Sequence, residues 1–491
     1  MKTNGGSGMS FRAPAGGRAR EIPYFMNIRQ KYFADKAFYR RILTVMLPIM
    51  VQNAITNFVG LLDNIMVGRL GTLEMSGVAI INTLVSIYNG CIFGAVSGVG
   101  IFTVEYHGTG NEEGIRNSFR FKILFVAALA VLTELAFLLG GDFLIGLYLK
   151  GKGDPADAVQ ILGFGKEYLR IVMIGLVPYA FTQCFTSTLR ECGKAVPPMI
   201  TGLIAMGVKV ILNILLIFGN LGFPRLGVTG AAIAVVISRF VELAAISLWT
   251  KRHLGAVPFL RGVFRSLRVP GSLQFEMIRR AAPLMVNETL WTGGVAFMAQ
   301  SYTTRELTAV AAVSISSTFY SLLSVTFIAA GIAVGILIGR QLGIRAFDRA
   351  KEEARKMIVF TALIGTAVAF VFVGIAFAAP SLYNVTPEVR RMARDMLLIT
   401  ALYMPANSAL ICSYYVVRSG GKTVLTMFLD SGLMWLFQCL PAYLLSRFTG
   451  IRVIPLYFWV QFGLILKLAV NLYFVRRGDW VQSLVEEKSG G

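Results

Sequence analysis

The sequence predicts an all-α integral membrane protein. Twelve transmembrane helices are expected in two six-helix lobes, a 6+6 parallel repeat with its pseudo-twofold axis along the membrane normal. Three observations predict this. Of 491 residues, 55% are hydrophobic and only 15% charged, whereas a soluble domain is about one quarter charged. Apolar stretches, most of about 20 residues and suited to roughly 30 Å of hydrocarbon, recur along almost the whole chain. The second half of the chain also repeats the first. This composition excludes a soluble enzyme, a disordered scaffold and a disulfide framework.

The elements follow in order. Residues 1–42 form a Gly/Arg-rich tail without the short apolar core of a signal peptide. Phe25 to Tyr39 mixes aromatic and basic residues, which suits a surface-lying segment or a solvated lead-in helix. The N-terminal lobe, 43–250, holds spans at 43–66, 76–103, 119–141, 166–187, 196–219 and 227–250. A basic linker, 251–278, leads to the C-terminal lobe, 279–476. Its spans fall at 279–300, 307–339, 357–379, 394–417, 423–446 and 453–475, before a tail at 477–491. Each span must be helical, because an isolated strand leaves backbone groups without partners in lipid.

Self-similarity fixes the organisation. Pro48-Ile-Met50-Val51 matches Pro283-Leu-Met285-Val286 at an offset of 235, which also aligns Val99-Gly100-Ile101 with Val334-Gly335-Ile336 and Gly108 with Gly343. Arg190, Gly193, Lys194 and Val196 match Arg418, Gly421, Lys422 and Val424 at 228, and Pro178 matches Pro405 at 227. Six spans per copy is even, so both copies enter the membrane in the same direction. Such repeats are associated with transporters that rock two bundles about a central site.

The net charge of +21 invites a nucleic-acid reading, but its distribution opposes it. With the N-terminus in the cytoplasm, 32 of the 47 Lys and Arg fall on the inner side, 12 on the outer, and Lys209, Arg239 and Lys467 within spans. That is the positive-inside signature, with both termini cytoplasmic. The basic charge orients the chain and attracts anionic lipid; no nucleic-acid partner is expected.

Charges inside spans cost about 2.5–3.5 kcal/mol each on insertion scales, so each needs a reason. Asp63 lies fifteen residues past Pro48. Gln52, Thr56 and Asp63 fall within about 40° of one another on a helical wheel, a polar stripe expected to face the interior. Lys209 and Asn213 share a face of span 5, and Asp63 is the nearest anionic partner for the lysine. An outer-interface cap is the alternative for Asp63. Glu288, five residues past Pro283, has Trp291 and Thr292 on its face. This suits a carboxyl that loads and releases a proton, or one held in a structural hydrogen bond at the helix break. Glu134 and Asp430 are equally open to structural pairing. Tyr403, Trp435 and Trp459 could line a cavity for flat cations or pack against lipid.

His107 and His253 lie in expected inner loops, the five cysteines have no paired spacing, and no Gly-x-x-x-x-Gly-Lys-Ser/Thr run occurs. No metal site, cofactor or ATP-driven step is expected, nor an enzyme's acid–base set.

Pro48 followed by Asp63-Asn64-Ile65-Met66-Val67-Gly68 resembles the span 1 signature of the multidrug and toxin extrusion (MATE) transporters, within the multidrug/oligosaccharidyl-lipid/polysaccharide exporter superfamily. Gly108-Thr-Gly110-Asn111, the run Gly222 to Ala234 and Pro283-Leu-Met-Val-Asn287-Glu288-Thr-Leu-Trp291 are similar to further marks of that family. The resemblance implies export of organic cations from the cell across the inner (cytoplasmic) membrane, by alternating access, against inward sodium or proton flow. It gives Asp63 the role of the cation-coupling aspartate. Asn213 falls where members carry a second aspartate or an asparagine, and Lys209 where many have asparagine. A Lys beside Asp63 would occupy the place of a sodium ion. The span 7 glutamate of sodium-coupled members would fall at Trp291, not Glu288. The expectation is therefore proton coupling through Glu288, with Asp63, Lys209 and Asn213 as a switchable group. Gln52, Thr56, Trp291, Tyr403 and Trp435 are expected to line the substrate cavity of a monomer. The rival reading is a flippase for a lipid-linked precursor, which would line its cleft with Arg or Lys; here such residues look scattered.

Overall fold

A computed structural model describes residues 32–149, 155–306, 308–378, 380 and 385–485, so residues 25–31 of the aromatic–basic segment lie outside the described residues. Long helices dominate, and no strand occurs among the described residues. In the N-terminal half they are α1 (Lys36–Gly68), α2 (Thr72–Gly108), α3 (Glu112–Gly146), α4 (Ala156–Glu191), α5 (Val196–Phe218) and α6 (Gly227–Arg252). The C-terminal half has α7 (Gly271–Thr303), α8 (Ala309–Gly343), α9 (Phe347–Ala378), α10 (Pro387–Ser419), α11 (Thr423–Phe448) and α12 (Val453–Arg477).

All but α7 are long and apolar enough to cross a membrane, which makes eleven such helices among the described residues. Helix α7 has 33 residues, but Glu276, Arg279, Arg280, Asn287 and Glu288 make it too polar by the same measure. The expected seventh span thus exists as a helix whose composition alone does not place it in lipid.

Local chemistry sets the helix ends. Asp35 caps α1 by accepting from Phe38 N at 2.9 Å, satisfying a donor that the first turn leaves free. Gly219 closes α5 in the left-handed conformation, at φ 74°, which glycine adopts without penalty. Pro48, Pro283 and Pro405 sit inside α1, α7 and α10, removing one backbone hydrogen bond each and allowing a kink. Helix α4 tightens to a 3-10 turn at Met173–Gly175. Helix α11 widens to π turns at Phe428–Gly432 and Trp435–Cys439.

The halves meet through small residues. A Cβ added at Gly108 of α2 would lie 2.6 Å from the Arg340 carbonyl of α8, and one at Gly343 of α8 would lie 2.4 Å from the Glu105 carbonyl of α2. Arg340 and Glu105 are themselves 235 apart in sequence, so each contact is the repeat image of the other. A local twofold axis therefore passes between α2 and α8. Alongside it, Gly98 of α2 lies so close to Ala281 of α7 that an added Cβ would come within 2.5 Å of the Ala281 Cα. Small residues of this kind let helices approach closely where lipid supplies no hydrophobic drive.

The largest buried cluster uses only residues 67–263. The start of α1 does not join it: Phe38, Ile42, Val45, Met46 and Ile49 pack with residues of α8 to α11. Nor is the basic linker free. Phe259, Leu260 and Val263 are buried, and Arg116 and Arg120 of α3 donate to the Phe259 and Val263 carbonyls at 3.2 and 2.9 Å. After α12 the chain folds back across the same end of the bundle. Trp480 is buried, Gln482 donates to the Gly420 carbonyl at 2.7 Å, and Leu484 N donates to the Glu105 carboxylate at 2.7 Å. This strap joins α10 of one half to α2 of the other.

Candidate functional site

The C-terminal part of α1 carries the first carboxyl group, that of Asp63. Lys209 of α5 forms an ion pair with the Asp63 carboxylate, and Asn213, one turn along, donates to Asp63 Oδ1 at 2.6 Å. The i, i+4 spacing of Lys209 and Asn213 places both on the face that meets α1. Their side chains, with those of Asn64, Asn82 and Tyr168, line a space of about 100 Å³ within the N-terminal half. Asp63 and Lys209 keep 20% and 16% of their side-chain surface exposed, so the pair is reached by solvent but held. The structure thus brings Asp63, Lys209 and Asn213 together.

Glu288 is placed differently. It is half-buried, and its Cβ lies 3.4 Å from where a Cβ on Gly90 of α2 would stand, at the seam between the halves. Its carboxylate has no hydrogen-bond or ion-pair partner among the described residues; the charges whose fields reach it are Arg418 and Asp430. Thr292 donates to the Glu288 backbone carbonyl at 2.9 Å, not to its side chain.

Between α2, α4, α8 and α10 lies a cavity of about 100 Å³, at the end of the bundle where α1 begins. Its polar lining is basic. Arg190 at the end of α4 and its repeat partner Arg418 at the end of α10 both face it, with Phe93 and Tyr415. Arg418 donates to Tyr414 Oη at 3.0 Å, bonds Ser97 across the seam, and lies 5.4 Å over the Tyr415 ring. Arg190 bonds Gln52, and its Nε is buried without a partner in the structure. Neither arginine makes an ion pair with a carboxylate among the described residues. Glu191 beside them is neutralised by Lys122 at 2.6 Å.

The expected cavity residues do not assemble around this space. Gln52 reaches its edge through Arg190. Thr56 is exposed and its hydroxyl donates to the Gln52 carbonyl of its own helix at 2.9 Å, so the polar stripe ends before Asp63. Trp291 is exposed. Tyr403 is buried against Phe458, ring centroids 5.8 Å apart. Trp435 donates to the Leu290 carbonyl at 3.1 Å and packs on Phe297. Trp459 sits exposed among aromatic neighbours. Aromatic content alone does not distinguish a lining residue from a packing one.

A second buried pair was hidden from sequence reasoning. Lys467 of α12 meets Asp430 Oδ1 at 2.8 Å, and Asn287 of α7 donates to Asp430 Oδ2 at 3.0 Å. Lys122, counted among the inner-loop charges, is likewise fully buried and bonded to Ser187, Thr188 and Glu191. A lysine deep in a span with no acidic residue near it in sequence was the available signal for Lys467; Lys122, at the edge of its span, gave none. No group of His, Cys, Asp and Glu able to hold a metal occurs among the described residues.

Comparison with known proteins agrees with this architecture. The MatE family model matches residues 48–215 and again 284–444, once in each half. The chain is similar to the probable multidrug resistance protein NorM of Thermotoga maritima, at 23% identity, covering 91% of this chain and 94% of that one. It is also similar to the probable multidrug resistance protein YoeA of Bacillus subtilis, at 24% identity over 89% of this chain and 92% of that one. A crystal structure of MATE in complex with MaL6 superposes with a TM-score of 0.80 at 18% identity, covering 92% of this chain and 97% of that one. A transporter of the wider superfamily from Pyrococcus furiosus, described as having a binding pocket of reverse polarity, matches with the same TM-score, identity and coverage.

Proposed function

Because the chain belongs to the MatE family, we propose that it is a multidrug exporter of the cytoplasmic membrane. Two six-helix lobes alternate access to the space between them, both termini lie in the cytoplasm, and small organic molecules, organic cations among them, leave in exchange for protons. The observation that carries the choice of ion is the contact between Lys209 and Asp63. An ammonium already fills the position beside the carboxylate that a coupling sodium ion needs. A proton needs no such space, since it binds Asp63 directly and breaks the ion pair. Glu288, unpaired at the seam, is the group that senses which face is open.

For a neutral solute the energetics suffice with one proton. A hundredfold outward gradient of a neutral solute requires about 2.7 kcal/mol, and one charge entering across about 150 mV supplies about 3.5 kcal/mol. The test is efflux of ethidium from proteoliposomes under an imposed pH or sodium gradient. Wild type is expected to respond to pH, Asp63→Asn to lose the response, and Glu288→Gln to lose most of it. Full pH-driven efflux by Glu288→Gln removes that residue from the account.

A second reading has one observation in its favour. Arg190 and Arg418 line the inner cavity, and paired guanidinium groups suit a phosphate or pyrophosphate. A lipid-linked precursor would then be the cargo. Flipping of a radiolabelled polyprenyl pyrophosphate in vesicles, lost in Arg190→Gln and Arg418→Gln while ethidium efflux is absent in wild type, would select it.

A further inference from the structure

We propose that Asp430 and Lys467 form a second proton-loading pair, at a different depth from Asp63–Lys209, so that each transported molecule is exchanged for two protons. The inference rests on the proton-coupled reading above and deepens it.

The pair is built as a site rather than as a strut. Lys467 is buried to 5% of its side-chain surface, while Asp430 keeps 21% open. The acid is therefore less enclosed than the base. Asn287, itself buried, holds the second carboxylate oxygen at 3.0 Å, and Ser431 Oγ lies 2.7 Å from Asn287 Oδ1. Asp430 stands in the first π turn of α11, a widened geometry common at functional sites.

The charged and titratable groups around Asp430 come from every helix that packs on it. Glu288 extends from α7, Lys467 from α12, Tyr320 from α8, and Tyr414 and Tyr415 from α10. In the conformation seen here Asp430 is paired with Lys467. When α7 or α12 shifts, a proton from water binds an Asp430 oxygen, the Asp430–Lys467 ion pair opens, and the ammonium keeps its own proton. Reclosure expels the acid proton to the opposite side.

The two pairs are not repeat copies. At the offset of 228 the counterpart of Asp430 is Gly202, and at 235 the counterpart of Asp63 is Met298. Depth separates them too. Pro48 and Pro283 mark the same level, Asp63 lies fifteen residues beyond one, and Asn287 four beyond the other. At 1.5 Å per residue the levels differ by about 16 Å.

A functional consequence follows. One proton exchanged for one monovalent cation moves no net charge, whereas two protons make the exchange electrogenic. The test uses ethidium in proteoliposomes with valinomycin and a hundredfold potassium gradient, interior negative, at fixed pH gradient. For wild type the potential raises the limiting ethidium gradient up to about a hundredfold, because one net charge enters per cycle. Asp430→Asn is expected to keep pH-driven efflux and lose that increase; Asp430→Glu is expected to keep both. Monodisperse elution of each variant establishes folding, and the protonated-carboxyl infrared band that titrates in wild type should be missing in Asp430→Asn. An unchanged response to potential in Asp430→Asn, or a wild type whose pH-driven efflux ignores potential, overturns the second site. A wild type with no pH-driven efflux overturns the proton-coupled reading instead.

Discussion

The two carboxylate–lysine pairs occupy corresponding halves of a duplicated scaffold, yet they join different helices. Asp63–Lys209 links α1 to α5, with both side chains partly open to a polar space. Asp430–Lys467 links α11 to α12, and its lysine is almost wholly enclosed. The backbone at the α2–α8 seam obeys the repeat closely, as the reciprocal contacts of Gly108 and Gly343 demonstrate. Packing has kept its symmetry while charge has not. Small residues at a helix seam are constrained by both partners at once, whereas a charge in a span needs only one partner, which any adjacent helix can supply. The result is a symmetric frame that carries its buried charge asymmetrically.

The comparison can be broken most severely at Asp63. Asp63→Asn is expected to lower pH-driven ethidium efflux at least tenfold in proteoliposomes; an Asp430→Asn effect of equal size on pH-driven rate would make the pairs equivalent and refute their division of labour. Next in size is stability. Lys467→Met leaves a carboxylate unpaired in the interior, which costs about 3–5 kcal/mol, and the double change with Asp430→Asn should recover most of it. Lys209→Met, at the wetter pair, should cost less. Thermal unfolding followed by size-exclusion chromatography measures all three. A sharper variant is Lys209→Asn, which empties the place beside Asp63 and is expected to let a sodium gradient drive efflux that it does not drive in wild type.

Symmetry of packing gives smaller, matched effects. Gly108→Val and Gly343→Val each force a side chain against the opposing backbone carbonyl, and overpacking of this kind costs about 1–3 kcal/mol. The two losses should agree closely, and a large disparity would undo the local twofold. Smallest of all is the strap: Glu105→Gln weakens a carboxylate that accepts from Leu484 N and Ser483, a loss of about 1–2 kcal/mol read as lower melting temperature.

Much of this was legible in the sequence, for identifiable reasons. Proline and glycine marks at offsets of 227 to 235 reveal the duplication, because helix breaks and close contacts restrict which residues can serve. Asp63, Lys209 and Asn213 announce themselves by helical spacing on two spans. The Asp430–Lys467 pair does not, since no polar residue stands three or four positions after Asp430 to mark a stripe on its helix. Arg190 and Arg418 were lost to the loops for another reason. Hydropathy ends a span where charges begin, at 187 and 417, yet the helices run on to Glu191 and Ser419. Their charged ends turn inward and are held by Gln52, Ser97 and Tyr414, so the last turn lines a cavity instead of leaving the membrane. The tight C-terminal strap left no periodic trace, being too short to show one.

The identity of the coupling ion is the claim on which the account turns, and downhill counterflow reads it directly. Wild-type proteoliposomes carrying internal pyranine would be given an ethidium gradient, with radioactive sodium outside and no imposed pH difference. An internal pH change that tracks ethidium movement, with no sodium uptake, is the predicted result. Sodium uptake in step with ethidium at constant internal pH would contradict it, and with it the reading of Lys209 as the group that fills the cation's place.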